Sequence, residues 1–198
     1  MRVQTALFSK GYALTLLDSL SADVEKMILS RAFDGIIVHG GALTRPIASL
    51  LIARRFPHIV IGHPSDVRLN WVDTDHTLGG RIACEHLIDC GCERLAFMGE
   101  GETAGISNQR LTGFRTALLE AGLEYRRDWV LHTDGTLASG KGAALELLGR
   151  GELPQGIVCG SNLLAYAFSV ATPPAGSRCP VGWALGIAIT YPRYFGKN

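Results

Sequence analysis

The fold that we expect for this chain is decided by residues 72–123, which read VDTDHTLGGRIACEHLIDCGCERLAFMGEGETAGISNQRLTGFRTALLEAGL. Apolar residues recur near helical spacing over 78–89, and Gly91 follows as a residue that can take the left-handed conformation at a helix end. Residues 94–98 form a short apolar run of the kind found in buried strands. After a glycine-rich loop, Ser107 can cap a second helix. The stretch therefore predicts a helix, a strand, a loop and a helix, in that order.

The rest of the chain continues this alternation of strands and helices. Helices are expected over 2–10, 21–32 (capped by Ser21), 46–55, 138–150 and 162–168, and strands over 12–17, 35–38, 59–62, 71–72, 129–132 and 155–159. Most of the strands are continuous apolar runs, which is typical of parallel sheets covered on both faces. The pattern predicts an α/β fold with parallel sheets flanked by helices.

Composition excludes several classes of protein. With 47% hydrophobic and 19% charged residues and a net charge of +1, the chain has an ordinary globular composition. Its near-neutral charge leaves no electrostatic footprint for nucleic acid or an anionic membrane. No apolar run is long enough to span a bilayer, and no signal-peptide pattern follows Met1. We therefore expect a cytoplasmic protein that has no membrane partner.

The cysteines indicate neither a disulfide framework nor a metal site. Their number is odd, at 5, which favours reduced thiols in the cytosol. Cys84, His86, Cys90 and Cys92 lie close together in the sequence, but on a helix Cys84 and Cys90 would be separated by about 240°. They cannot both reach one metal ion unless the helix unwinds. We expect no metal and no cofactor.

Polar residues at strand ends are the candidates for ligand binding. Open α/β sheets bind their ligands where a strand runs through a loop into the next helix. Ser107, Asn108 and Arg110 occupy such a junction, and the Arg110 guanidinium offers a planar fork of donors for hydroxyl pairs or carboxylates. The alternative is that Arg110 is a solvated arginine of a first helical turn. His39 and His63 follow strands of the first half and can face a ligand by the same rule.

The central stretch resembles the effector-binding domain of LacI/GalR-type bacterial transcription regulators. The resemblance rests on Asp75-His76, Gly79-Gly80, Glu85 to Ile88, Gly91, Arg94 to Phe97, Ser107, Arg110 and Gly113-Phe114. These residues keep the family spacing over about fifty positions, so the match does not depend on one short motif. It extends over residues 7–165. It implies a periplasmic-binding-protein-like fold with two lobes of parallel sheet flanked by helices.

The resemblance also implies a domain organisation and a set of partners. Residues 1–91 would form an N-terminal lobe without its first strand, residues 92–170 a C-terminal lobe, and residues 171–198 an atypical tail. A small sugar-like effector would bind between the lobes. Family members form homodimers and bind DNA only through a helix-turn-helix head, which we do not expect within these residues. The expected fold is thus incomplete, and no catalytic residue is expected.

Two residues take ligand-binding roles by their position in the family pattern. Arg110, in the R-x-x-G-F match, would donate hydrogen bonds to the effector, and Asn162 after Gly160-Ser161 would bind its polar groups. Ser107 is a further candidate. The aromatic residue on which many family members stack the ligand should fall near Gly135, where this chain has none.

The tail departs from the family pattern. No Asp or Glu occurs after residue 153, and of the 8 prolines in the chain Pro173, Pro174, Pro180 and Pro192 follow Thr172. This abrupt change predicts a frameshift near residues 166–172, and the alternative is a divergent terminus.

Three alternatives remain: a solute-binding protein of a transporter, an α/β enzyme that uses the loop of Lys141, and a non-functional gene remnant. A transporter-type solute-binding protein shares the fold, but the sequence shows no signal peptide. Residues 135–142, GTLASGKG, nearly match a phosphate-binding loop with Lys141, yet Gly142 replaces the magnesium-binding hydroxyl. The loop at 99–105 is glycine-rich, but its two glutamates would repel a pyrophosphate, which argues against a dinucleotide site. A non-functional gene remnant is the last alternative.

Overall fold

A computed structural model describes residues 2–17, 23–101, 105–171 and 187–190. The chain divides into two compact units, Met1–Thr74 and Asp75–Asn198. The boundary expected between the lobes, near residue 91, differs from this division. The helix His76–Asp89 belongs to the second unit because it packs closely against the helix Gly105–Glu120.

The first unit contains three helices and a small parallel sheet in its described part. The helices are α1 (Arg2–Phe8), α2 (Asp23–Leu29) and α3 (Arg45–Ala53), and the strands are β1 (Ile36–His39), β2 (His58–Ile61) and β3 (Trp71–Val72). The strand order is β1-β2-β3, with both pairs parallel. All of these elements were predicted, with ends that shift by a few residues.

The strand predicted over residues 12–17 is wrong. This segment belongs to neither sheet, and its side chains are exposed, with Leu16 at 89%. An apolar run becomes a strand only when a neighbouring strand supplies hydrogen-bond partners. No strand of the described residues lies beside this segment. The predicted cap Ser21 falls outside the described residues.

The core of the first unit lies on one face of its sheet. The buried residues are Val24, Ile28, Ile47, Leu51, Phe56, Val60 and Leu69. Because side chains alternate along a strand, the opposite face carries Ile37 and Ile61, which are 43% and 44% exposed. The described residues therefore cover this sheet on one face only, whereas the sequence predicted cover on both.

The second unit is larger and is built around a four-stranded sheet. Its helices are α4 (His76–Asp89), α5 (Gly105–Glu120), α6 (Leu137–Leu148) and α7 (Asn162–Ala171), and its strands are β4 (Leu95–Glu100), β5 (Val130–Thr133), β6 (Gly156–Cys159) and β7 (Ile187–Thr190). The strand order is β5-β4-β6-β7, in which β7 alone runs antiparallel to its neighbour. This antiparallel strand, IAIT, was not predicted. The rest of the tail from residue 172 onward lies outside the described residues.

Both faces of the second sheet are covered by helices, as predicted. Alternate residues of β4 enter two different clusters, so that Phe97 packs with α4 and α5 while Met98 packs with α6 and α7. A strand buried on both sides must be apolar at every position. That requirement explains why β4 and β6 are continuous apolar runs.

The helix ends show one correct and one incorrect prediction. Gly91 has a φ of 83° after α4, as expected for a left-handed residue beyond a helix end. Ser107 does not cap α5, because that helix already begins at Gly105 and Ser107 is buried in its first turn, at 5% exposure. A cap that was not predicted is Asp75, whose carboxylate accepts a hydrogen bond from the backbone N–H of Leu78 at 2.8 Å, at the start of α4.

The helices of the described residues are also short. The longest, α5, has 16 residues. Within residues 2–17, 23–101, 105–171 and 187–190, no helix is both long and apolar enough to cross a bilayer.

Candidate functional site

The carboxyl ends of β4 and β6 meet the first turn of α5 in the second unit. A Cβ atom placed on Gly99 would lie 2.2 Å from Ser107 Oγ, and one placed on Gly160 would lie 3.2 Å from the Cα of Gly99. At both positions a residue with a Cβ would crowd its neighbour, so glycine is favoured. We call this edge of the sheet the strand-end site. It consists of the ends of β4 and β6 and the first turns of the helices that follow them, α5 and α7.

Arg110 is held inside this site. Its Nη1 donates a hydrogen bond to the carbonyl oxygen of Gly160, and its Nη2 lies 3.2 Å from Nδ1 of His76. Because a guanidinium can only donate, Nδ1 of His76 is the acceptor. The side chain thus links α5 to the end of β6 and to the start of α4. The alternative of a solvated surface arginine is wrong, because Arg110 is partly buried.

Asn162 lies at the same end of the sheet. It is the first residue of α7, two positions after Gly160, and its side chain is exposed. The hydroxyl of Ser161 accepts a hydrogen bond from the backbone N–H of Leu164 at 3.3 Å, and it caps this helix. The structure therefore brings three of the predicted site residues, Ser107, Arg110 and Asn162, to one edge of the second sheet.

The histidines proposed for ligand binding belong to the first unit. His39 is the last residue of β1 and is exposed. The ring of His63 packs on the ring of Trp71, with their centroids 4.5 Å apart. His63 follows β2, as the sequence predicted, whereas His39 lies within β1 as its last residue. The ligand-binding role of His39 stays a prediction.

Glu100 is a residue of this edge that was not predicted as part of a binding site. It ends β4, its carboxylate is exposed, and its Cγ and Cδ lie 3.1 Å from the position that a Cβ on Gly135 would take. The sequence feature that could have identified Glu100 as a site residue is its position just after the apolar run of residues 94–98. The glycine-rich loop drew attention to Glu100 only as a residue that repels a pyrophosphate.

The loop after β5 is tied to the end of β4. The buried hydroxyl of Thr133 donates to the carbonyl oxygen of Gly99 at 3.1 Å and accepts from the backbone N–H of Gly135 at 3.2 Å. Gly135 has a φ of 81°, a conformation that suits glycine. These bonds fix the backbone beside Glu100.

The start of α6 does not form a phosphate cradle. Thr136 caps this helix by accepting from the backbone N–H of Ser139 at 3.2 Å. The Asp134 carboxylate accepts from the Thr136 hydroxyl and backbone N–H, and these hydrogen bonds lower the pKa of Asp134. A capped helix end beside an ionised carboxylate disfavours an anion. The phosphate-loop alternative, with Lys141 exposed on α6, therefore loses its physical basis.

The cysteines of the described residues lie in different environments. Burial raises the pKa of the Cys84 thiol to about 12 and also raises that of Cys159. Cys90 is exposed, with its Sγ 3.9 Å from Nε2 of His86. His86 is exposed beside this surface thiol. No group of three His, Cys, Asp or Glu side chains that could hold a metal ion occurs among the described residues.

Comparison with known proteins gives a consistent result. A sequence model for periplasmic binding proteins and the sugar-binding domain of the LacI family matches residues 2–182. The match includes residues 172–182 of the tail, and the frameshift hypothesis stays a prediction. The HTH-type transcriptional regulator CelR of Thermobifida fusca is 29% identical over 185 residues, which are 90% of this chain and 54% of that protein. The repressor PurR of Glaesserella parasuis is 28% identical over 188 residues, which are 91% of this chain and 55% of that protein.

Solved structures agree with these sequence relatives. The transcription regulator CcpA of Lactococcus lactis has a TM-score of 0.72 and 26% identity, over 90% of this chain and 68% of that one. A CelR–cellobiose complex has a TM-score of 0.70 and 29% identity, over 90% of this chain and 57% of that one. The chain thus spans about half the length of the curated relatives that it matches.

Proposed function

Because this chain belongs to the family of periplasmic binding proteins and LacI sugar-binding domains, we propose that it is the effector-sensing part of a LacI-type transcription regulator and that it binds a small sugar-like molecule. The main support is the strand-end site, where Ser107, Arg110 and Asn162 share one edge of the second sheet. Ligands of open α/β sheets bind at such edges.

The chemistry of these side chains suits a ligand that is rich in hydroxyl groups. Arg110 supplies charge-assisted donors, and the amide of Asn162 can both donate and accept. Ser107 is buried, so its role is to shape the site by filling the space above Gly99. In this proposal the site binds a ligand and performs no reaction, and it needs no cofactor.

The wider function belongs to the longer proteins that this chain resembles. The relatives are named as HTH-type regulators, and we propose that this chain reports effector binding to such a DNA-binding head within a homodimer in the cytoplasm. The effector site and the DNA-binding site would then be coupled, so that effector binding changes the affinity for DNA. We also propose that His39, the last residue of β1, takes part in effector binding.

A solute-binding protein of a transporter is the second candidate, because the matching family model includes periplasmic binding proteins. The DNA flanking this coding region distinguishes the two functions. A helix-turn-helix encoded upstream supports the regulator. A signal peptide encoded there contradicts it and supports the transporter.

Ligand binding is tested with the purified chain and a panel of D-ribose, D-glucose and cellobiose. A sugar that binds only the native state raises the melting temperature of the chain. A free sugar concentration 100 times the Kd increases the free energy of unfolding by about 2.7 kcal/mol. We expect Asn162→Ala to reduce this shift. Ser169→Ala, at the far end of the same helix, is the matched control and should leave it unchanged. A panel without any shift contradicts the proposed function.

A further inference from the structure

We propose that Glu100 determines the specificity of the strand-end site, by accepting hydrogen bonds from an uncharged polyol and excluding phosphorylated analogues of the same sugar. This inference rests on the proposed function and adds to it the chemical class of the effector.

The position of Glu100 supports this role. β4 lies between β5 and β6 in the sheet, and Glu100 is its last residue, paired in register with Thr133 of β5. The preceding residue, Gly99, lies close to both Ser107 and Gly160. Glu100 therefore ends the strand that lies between β5 and β6, at the sheet edge that also carries Ser107, Arg110 and Asn162.

The neighbourhood of Glu100 leaves room for its side chain beside the backbone of Gly135. The bare Cα of Gly135 leaves room for the Glu100 carboxyl group, since any Cβ there would lie 3.1 Å from Cδ and 3.2 Å from Oε1. Gly135 itself is fixed through Thr133, whose hydroxyl links its N–H to the carbonyl of Gly99.

Gly135 also changes the chemistry that the site offers to a ligand. At this position the family resemblance predicted an aromatic residue for stacking, and this chain has glycine with the Glu100 carboxylate beside it. A stacking surface is thus replaced by a hydrogen-bond acceptor with a negative charge. Hydroxyl groups can donate to this acceptor, whereas a phosphate group has only acceptor oxygens at neutral pH.

The charges around the site reinforce this selection. Asp134 adds a second carboxylate in the adjoining loop, and the Thr136 hydrogen bonds keep it ionised by lowering its pKa. The N-terminus of α6 is capped by Thr136. A phosphate beside Glu100 would therefore meet two carboxylates and a helix start that is already capped.

The test compares neutral sugars with their phosphate esters on the full chain. Binding is measured by calorimetry for D-ribose and ribose 5-phosphate, and for D-glucose and glucose 6-phosphate, with cellobiose as a further neutral probe. We expect the wild-type chain to bind the neutral member of a pair at least tenfold more tightly. Glu100→Gln keeps the shape and removes the charge, and it should reduce this preference by about tenfold.

Two further variants make the result specific. Glu100→Asp retains the charge and should retain the preference. Glu124→Gln removes a carboxylate from the loop that precedes β5, at the opposite edge of the sheet, and should also leave the preference unchanged.

The failures of the two proposals can be told apart. If a phosphate ester binds the wild-type chain as tightly as its parent sugar, the selection by Glu100 is overturned while the sensing function stands. The same holds if Glu100→Gln keeps the full preference. If no sugar and no ester in the panel binds the wild-type chain, the proposed function is overturned and the inference falls with it.

Discussion

Gly80 and Gly113 are the residues at which α4 and α5 come into direct backbone contact. A Cβ on Gly113 would lie 1.9 Å from the carbonyl oxygen of Thr77, and a Cβ on Gly80 would lie 2.0 Å from that of Arg110. Because the second contact involves the backbone of Arg110 itself, the close helix pair also determines where this site residue lies. The two glycines therefore connect packing to ligand binding.

We expect Gly113→Ala to lower the free energy of unfolding by about 3 kcal/mol or more, because the methyl group forces the helices apart. Urea denaturation measures this change. Gly142→Ala is the matched control in helix α6, where a Cβ meets no atom within 4 Å. It should stabilise by up to about 1 kcal/mol, since alanine favours a helix over glycine. Equal effects of the two substitutions would contradict the close approach of α4 and α5.

At the scale of elements, α4 shows how a local signal and a tertiary contact combine. Asp75 caps its first turn, and Gly80 of its next turn meets α5. The first feature is visible in the sequence as an aspartate three residues before Leu78, although a cap was not predicted there. The second depends on a partner helix and leaves no mark in the local sequence.

We expect Asp75→Ala to destabilise the second unit by about 1 kcal/mol, since it removes the acceptor for the Leu78 N–H and a favourable charge at the helix start. Asp89→Ala, in the last turn of the same helix, is the control and should not destabilise, since a negative charge is unfavourable at that end of a helix. Thermal unfolding monitored by circular dichroism compares the two variants. A loss as large for Asp89→Ala as for Asp75→Ala would show that general charge effects, and not the cap, are responsible.

Hydropathy patterns predicted most of these elements because burial alone determines them. The continuous apolar runs of β4 and β6 arise from helices on both faces of their sheet, and this arrangement can be inferred from sequence. Pairing cannot be inferred in this way, which is why residues 12–17 were predicted as a strand without a partner. For the same reason, the contact of Glu100 with Gly135 was not foreseen, because the two residues meet only in the folded sheet.

At the scale of the whole molecule, the two units differ in the size of their cores. The first unit buries a single cluster against one sheet face, and the second buries two clusters on opposite faces. Stability is not uniform in a protein, and segments with few buried contacts open first. The exposed apolar side chains of Ile37 and Ile61 add nothing to the core of the first unit.

We therefore expect amide hydrogen exchange in the first unit to be faster than in the second. Peptides that contain β4 and β6 should be the slowest, and those that contain residues 12–17 should exchange at once, because this segment belongs to neither sheet. Ile37→Lys should leave the exchange of the first unit unchanged, since its side chain is on the exposed face. Val38→Lys places a charge in the core on the other face and should remove the protection of β1 and β2. Equal protection in the two units, or equal effects of the two lysines, would contradict a first unit whose sheet is packed on one face only.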